Sequence, residues 1–162
     1  MTQTEGSTIA GMPVPPGGTP PRRREYLWSF AKRHDEPLSE HFSLREFHCG
    51  CTSGRCHHTL VHPKLVESLQ TLRSMLAQPL VITSGYRCPA YNRTVGGRPR
   101  SFHTRGMAAD VLCRDDTELA ELARAAARIP AVGAIGRYPQ RHFVHLDVRP
   151  READGRITEW SG

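Results

Sequence analysis

Apolar residues recur along this chain with two different periods. Leu65, Leu69, Leu72 and Leu76 stand four, three and four positions apart, which predicts a helix with one apolar stripe running from about Pro63 to Gln78. A second helix is predicted from Asp115 or Asp116 to about Arg128, an Ala/Leu/Glu-rich run in which Asp115 and Glu118 form an N-terminal box. Ser43 followed by Glu46 predicts a short helix around Leu44-Arg45-Glu46-Phe47 in the same way. Short apolar runs read as strands at Leu80-Val81-Ile82-Thr83, which ends in the turn Ser84-Gly85-Tyr86-Arg87, and at Met107 to Leu112. Val132 to Arg137 and His142 to Val148 read as paired strands, and Ala153-Asp154-Gly155-Arg156 as a hairpin turn into Ile157 to Trp160. Two main helices among irregularly spaced strands predict an α+β fold, a small single domain with a central, mostly antiparallel sheet flanked by helices.

Composition changes this picture at the N-terminus. Residues 1–21 are rich in Gly and Pro, centred on Pro13-Val14-Pro15-Pro16-Gly17-Gly18, and cannot bury enough apolar area to offset ordering. Residues 1–38 are therefore read as a disordered tail and linker, and 39–162 as the domain. Within the linker, the cluster Tyr26-Leu27-Trp28-Ser29-Phe30 is suited to docking on the core or on a partner. Apolar runs fall far short of the ~18–20 residues of a membrane-spanning helix. The opening Met1-Thr2-Gln3-Thr4-Glu5 has neither the basic nor the apolar region of a secretory signal, so export, if it happens, is expected to use another route or a start site outside this sequence. The net charge of +6 belongs to the folded part, and Arg87 to Arg105 hold five arginines and no acid, a candidate anion-binding surface.

The densest polar signal is Ser101-Phe102-His103-Thr104-Arg105-Gly106-Met107-Ala108-Ala109-Asp110, which places an acid inside an apolar strand. A buried carboxylate needs a cation or metal beside it, and His103 reaches the same ion if Gly106 turns the backbone tightly. Strand alternation over Phe143 to Val148 puts Phe143, His145 and Asp147 on one face. His103, Asp110 and His145 thus form a candidate three-ligand zinc site at the sheet, open to water at the fourth position. The same residue types also suit a carboxylate paired with an arginine and an ordinary strand histidine.

Ser84-Gly85-Tyr86-Arg87, Asn92, Val95-Gly96-Gly97, the Ser-x-His-x-x-Gly-x-Ala-x-Asp run at 101–110 and Phe143-Val144-His145-Leu146-Asp147 together resemble the zinc D-alanyl-D-alanine carboxypeptidase family. This group includes D-alanyl-D-alanine dipeptidases and phage L-alanyl-D-glutamate endolysins, and the resemblance is strongest to its short, single-domain phage and bacterial members. It implies one catalytic zinc held by His103, Asp110 and His145, water as nucleophile, and Arg87 as the group that orients substrate and stabilises the oxyanion. Ser84, Tyr86, Asn92 and Ser101 are implied to contact substrate. The family's general-base carboxylate, three positions before the last ligand, is His142 here; an imidazole can accept a proton near neutrality. Asp147 is suited to a hydrogen bond that fixes the tautomer of a ligand histidine. The expected substrates are peptidoglycan stem peptides, cut by a carboxypeptidase or endopeptidase at the cell wall, periplasmic, extracytoplasmic or phage-delivered, by a monomer.

Five cysteines leave at least one thiol outside any intramolecular disulfide. Cys49, Cys51 and Cys56, with His57 and His58, are a candidate second zinc site, but the Cys-x-Cys spacing favours instead a disulfide from Cys49 or Cys51 to Cys88. Cys113 is expected to be a buried thiol. Two competing functions are a degenerate member that binds wall peptides with little activity and a zinc-ordered basic module for nucleic acid. The second lacks a reading helix, and no nucleic-acid partner is expected.

Overall fold

A computed structural model describes residues 27–31, 35–54 and 56–162. The elements run β1 (Trp28–Ala31), a 3-10 turn (Leu44–Phe47), β2 (His58–Val61), α1 (Pro63–Leu76), β3 (Ile82–Ser84), α2 (Pro89–Thr94) and a second 3-10 turn (Phe102–Arg105). They continue with β4 (Ala108–Leu112), α3 (Asp116–Ala127), β5 (Ala134–Tyr138), a third 3-10 turn (Pro139–Arg141), β6 (Phe143–Asp147) and β7 (Thr158–Ser161). The fold is α+β, with antiparallel pairing predominating.

The two long helices follow the apolar periodicity. α1 starts at Pro63, with His62 Nδ1 accepting the Lys64 N–H at 3.2 Å, and ends where Ala77 turns into the left-handed region. α3 starts where Asp115 accepts the Glu118 N–H at 2.8 Å and Glu118 reaches back to the Arg114 N–H at 2.6 Å. Leu65, Leu69 and Leu72 of α1 and Leu122 of α3 are buried in a single core with Val111, Ile135, Val144 and Leu146 of the sheet. Each such side chain contributes about 1.5–3 kcal/mol on burial.

The main sheet has the order β3-β4-β6-β5-β7. Every pairing in it is antiparallel except β5 with β7. That exception corrects the hairpin expectation at residues 153–156. The chain turns tightly there, with the Gly155 N–H donating to the Glu152 carbonyl at 2.8 Å, but β7 crosses to the far edge and runs parallel to β5. The registers align one residue from each strand in a row across the sheet: Ser84, Asp110, His145, Gly136 and Trp160. Because side chains alternate, Ala109, Val111, Val144 and Leu146 face the helices while Asp110, His145 and Asp147 share the opposite face.

The aromatic cluster assigned to the linker is part of the fold. β1 pairs antiparallel with β2, and Trp28 and Phe30 are buried in the common core. Residues 1–26, and with them the proposed tail, lie outside the described residues. The loop expected between β3 and β4 also contains the short helix α2 and the 3-10 turn at Phe102–Arg105. No helix among the described residues is long and apolar enough to cross a membrane.

Candidate metal centre and active site

Three side chains converge on the open face of the sheet. Asp110 and His145 are directly opposed on β4 and β6. His103 arrives from the 3-10 turn, which Ser101 caps and which Gly106 closes at φ 65°. A residue with a Cβ at position 106 would run into the Leu60 backbone, so the sharp return from His103 to β4 requires glycine. His103 Nε2 lies 3.1 Å from Asp110 Oδ1 and 3.1 Å from His145 Nδ1, and the latter is 3.0 Å from Asp110 Oδ1. All three residues are buried.

The outward nitrogens decide what the inward atoms can be. His103 Nδ1 is 2.7 Å from the Gly85 carbonyl oxygen, which can only accept, so the proton of a neutral ring sits there and Nε2 is bare. His145 Nε2 is 3.1 Å from Asp147 Oδ2, a carboxylate that also only accepts, so Nδ1 of neutral His145 is bare as well. Two imidazole lone pairs and a carboxylate oxygen thus face one another across about 3 Å. Such a set repels itself unless a cation or a shared proton lies between, and its donor chemistry suits zinc.

The charges fit this picture. Burial is the largest influence on His103 and holds its pKa below the ordinary value. Burial also opposes charge on His145, but hydrogen bonds to Asp110 and Asp147 outweigh it and push that pKa up. For Asp110 burial is again the largest single influence and favours protonation, but the two histidines overcome it and hold the carboxyl well below the usual range.

Around this centre, Arg87 donates from Nη2 to Asp110 Oδ2 and from Nε to Ser84 Oγ at 2.7 Å. Asp147, fully buried, is held by the Arg149 guanidinium, whose Nε donates to Oδ1 at 2.7 Å. Arg149 in turn lies over the Phe102 ring at 4.2 Å. The Trp160 ring sits 5.3 Å from that of His145. The Gly85 carbonyl, Arg149 and Trp160 were not singled out in the sequence. An Arg two positions after Asp147 was a readable hint; contacts from a carbonyl 18 residues away and from the far edge strand leave no local pattern.

Other expected site residues stand elsewhere. Ser101 caps the turn that carries His103, its Oγ accepting the His103 N–H at 3.3 Å. Asn92 is buried inside the basic loop, where Nδ2 donates to the Arg98 carbonyl at 2.9 Å. The Tyr86 hydroxyl has a pKa pushed up to about 12 by burial and then by the charge of Cys56, which places it in the surroundings of the cysteines. His142 is exposed in a left-handed turn at φ 52°, one residue before β6, and among the described residues no hydrogen bond or ion pair joins its ring to the centre. Arg93, Arg98, Arg100 and Arg105 are exposed along the loop.

Comparison with known proteins gives relatives and a family. The chain is 33% identical over 97 residues to the peptidoglycan L,D-endopeptidase MepK of Escherichia coli (strain K12), and equally to the proteins of that name from Escherichia coli O157:H7 and Shigella flexneri. These alignments cover 56% of this chain and 52% of each relative, so the chain spans about half the length of the curated relatives it matches. The model of the Peptidase M15 family matches residues 40–147, a stretch that begins before the first cysteine and takes in Arg87, His103, Asp110, His145 and Asp147. With its candidate metal ligands His103, Asp110 and His145 all enclosed in that match, this chain belongs to the peptidase M15 family.

Proposed function

We propose that this chain is a zinc-dependent endopeptidase that hydrolyses peptide bonds in peptidoglycan stem peptides outside the cytoplasm. The observation that carries the reading is the donor set: two bare imidazole nitrogens and one carboxylate oxygen, 3.0–3.1 Å apart, each with its partners arranged behind it. His103, Asp110 and His145 would hold the ion. A zinc ion held by three protein ligands supplies Lewis acidity to a substrate carbonyl and lowers the pKa of water to about 7.

The chain's own residues do the rest. The Gly85 carbonyl and Asp147 keep the imidazole protons on the outward nitrogens, so both rings offer lone pairs inward. Arg87 uses Nε and Nη2 on Ser84 and Asp110, which leaves Nη1 to meet a carbonyl oxygen as negative charge develops on it. The exposed arginines of the 93–105 loop draw in peptide stems, which end in carboxylates. The printed activity of the relatives, an L,D-endopeptidase, makes an L,D bond between stem peptides the first bond to test.

The test uses purified protein, its zinc removed by chelation and then restored, against defined muropeptides. These carry L,D cross-links, D,D cross-links or a terminal D-alanyl-D-alanine. Cleavage of the L,D-linked dimer that disappears on chelation and returns with zinc supports the proposal. Release of terminal D-alanine alone would make the protein a carboxypeptidase. Zinc binding with no cleavage of any substrate would leave a wall-peptide-binding member of the family.

A further inference from the structure

Cys49, Cys51, Cys56 and Cys88 take no part in the centre described above. Cys49, Cys51 and Cys56 lie on the segment between the Leu44–Phe47 turn and β2, and Cys88 is the N-cap of α2. All four Sγ atoms nevertheless lie within 4.8 Å of one another. No disulfide joins any of them, which sets aside the pairing of Cys49 or Cys51 with Cys88 expected from spacing. A disulfide would draw one pair to about 2.05 Å and leave the other two sulfurs without a reason to gather. Tetrahedral zinc, with Zn–S distances of about 2.3 Å, needs four sulfurs about 3.8 Å apart around one point.

Two further contacts suit thiolates. The Cys88 N–H donates to Cys49 Sγ at 3.2 Å, and the Tyr91 N–H donates to Cys88 Sγ at 3.4 Å. Hydrogen bonds of this kind stabilise the negative charge of a metal-bound sulfur. The Cys-x-Cys spacing that argued against a metal is offset by the fourth ligand, which the fold delivers from the far side of α1 and β3.

We propose that Cys49, Cys51, Cys56 and Cys88 bind one zinc ion in a closed, structural site, separate from the His103–Asp110–His145 centre. Binding forms four Zn–S bonds as the thiol protons pass to solvent, and no electrons move. The ion ties the N-terminal segment to the strand end that serves the active centre. Beside it the Tyr86 N–H donates to the Phe47 carbonyl at 2.9 Å, and Gly85 packs against the Phe47 backbone. Gly85 orients His103 and Arg87 holds Asp110, so the site positions both from behind.

The experiment is metal analysis of the whole chain combined with cobalt substitution. Wild type should hold two zinc ions, His103→Ala one and Cys56→Ser one. Cobalt-loaded wild type and His103→Ala should both show an intense thiolate-to-cobalt charge-transfer band in the near ultraviolet, whereas cobalt-loaded Cys113→Ser should match wild type. The wild-type spectrum keeps the test valid even if Cys56→Ser does not fold. One zinc that follows His103 with no cobalt–sulfur band would overturn this site and leave the peptidase reading standing. A cobalt–sulfur band with no metal lost in His103→Ala would do the reverse. Iron in place of zinc, or intramolecular disulfides in anaerobically purified protein, would also overturn it.

Discussion

Asp147 controls the centre without touching its inward face. As a carboxylate it can only accept, so it keeps the proton on His145 Nε2 and leaves Nδ1 bare. Asp147→Asn puts an amide there that can donate as well as accept, and it leaves Arg149 without its countercharge. Zinc affinity should fall by about 10–100-fold, measured by competition with a chelating dye, with the fold retained by circular dichroism. His142 makes the opposite prediction. Asn visits the left-handed region readily, so His142→Asn preserves the turn while removing the imidazole. From its exposed position, kcat/KM should stay within about threefold of wild type, whereas loss of a general base costs about 100-fold or more; a loss of that size would make His142 the base. At this scale the sequence was informative where chemistry and alternation coincide. An acid in an apolar strand and a His–Asp pair two apart on the next strand marked Asp110, His145 and Asp147. Asn92 and Ser101 are equally polar, but their roles depend on which way a loop folds back, and periodicity does not record that.

Among the elements, α1 offers the clearest pH dependence. His62 is half-buried at its N-cap and accepts the Lys64 N–H through Nδ1, so protonation both places charge in a poorly hydrated site and removes the cap. Burial first, and then the Lys64 ammonium, push its pKa down to about 4. In the unfolded chain an ordinary histidine titrates near 6.5, so the unfolded state binds the proton first and stability falls as pH drops from about 6.5 to 4. The loss should reach the order of 3 kcal/mol by pH 4. Urea denaturation of wild type and His62→Asn, which caps without titrating, checks this: the difference between their stabilities should shrink or change sign over that window, and a constant difference would refute it. α1 was legible from its apolar stripe and the proline at its start, and α3 from its Ala/Leu/Glu-rich run and the Asp115 cap. β7 was legible as a strand, but not as a parallel partner of β5, because residues 153–156 have the composition of a hairpin turn and pairing is decided by the open sheet edge.

At the scale of the molecule, the core forms one layer and the chemistry another, with the sheet between them. The helices fill one face, and the opposite face carries Asp110, His145 and Asp147, the residues of the proposed zinc centre and its support. A chain stripped of metal should therefore melt at a lower temperature than the zinc-loaded protein. Zinc in excess of its dissociation constant by about 1,000-fold contributes about 4 kcal/mol per site with no affinity for the unfolded chain. Differential scanning calorimetry with and without chelator checks this, and identical melting curves would show that metal is not coupled to folding. Trp28 and Phe30 are buried in the common core, the docking to which the aromatic cluster Tyr26-Leu27-Trp28-Ser29-Phe30 is suited.

The row across the sheet also sets an order of assembly during synthesis. Its members come from five strands, and His145 follows Asp110 by 35 positions. A growing chain that has released Asp110 still lacks β6, so the centre remains one ligand short until His145 has emerged. The cysteine cluster is complete by residue 88. The four cysteines can thus gather while the three-ligand centre is still incomplete, and a centre built in this order has no full donor set until β6 joins the sheet.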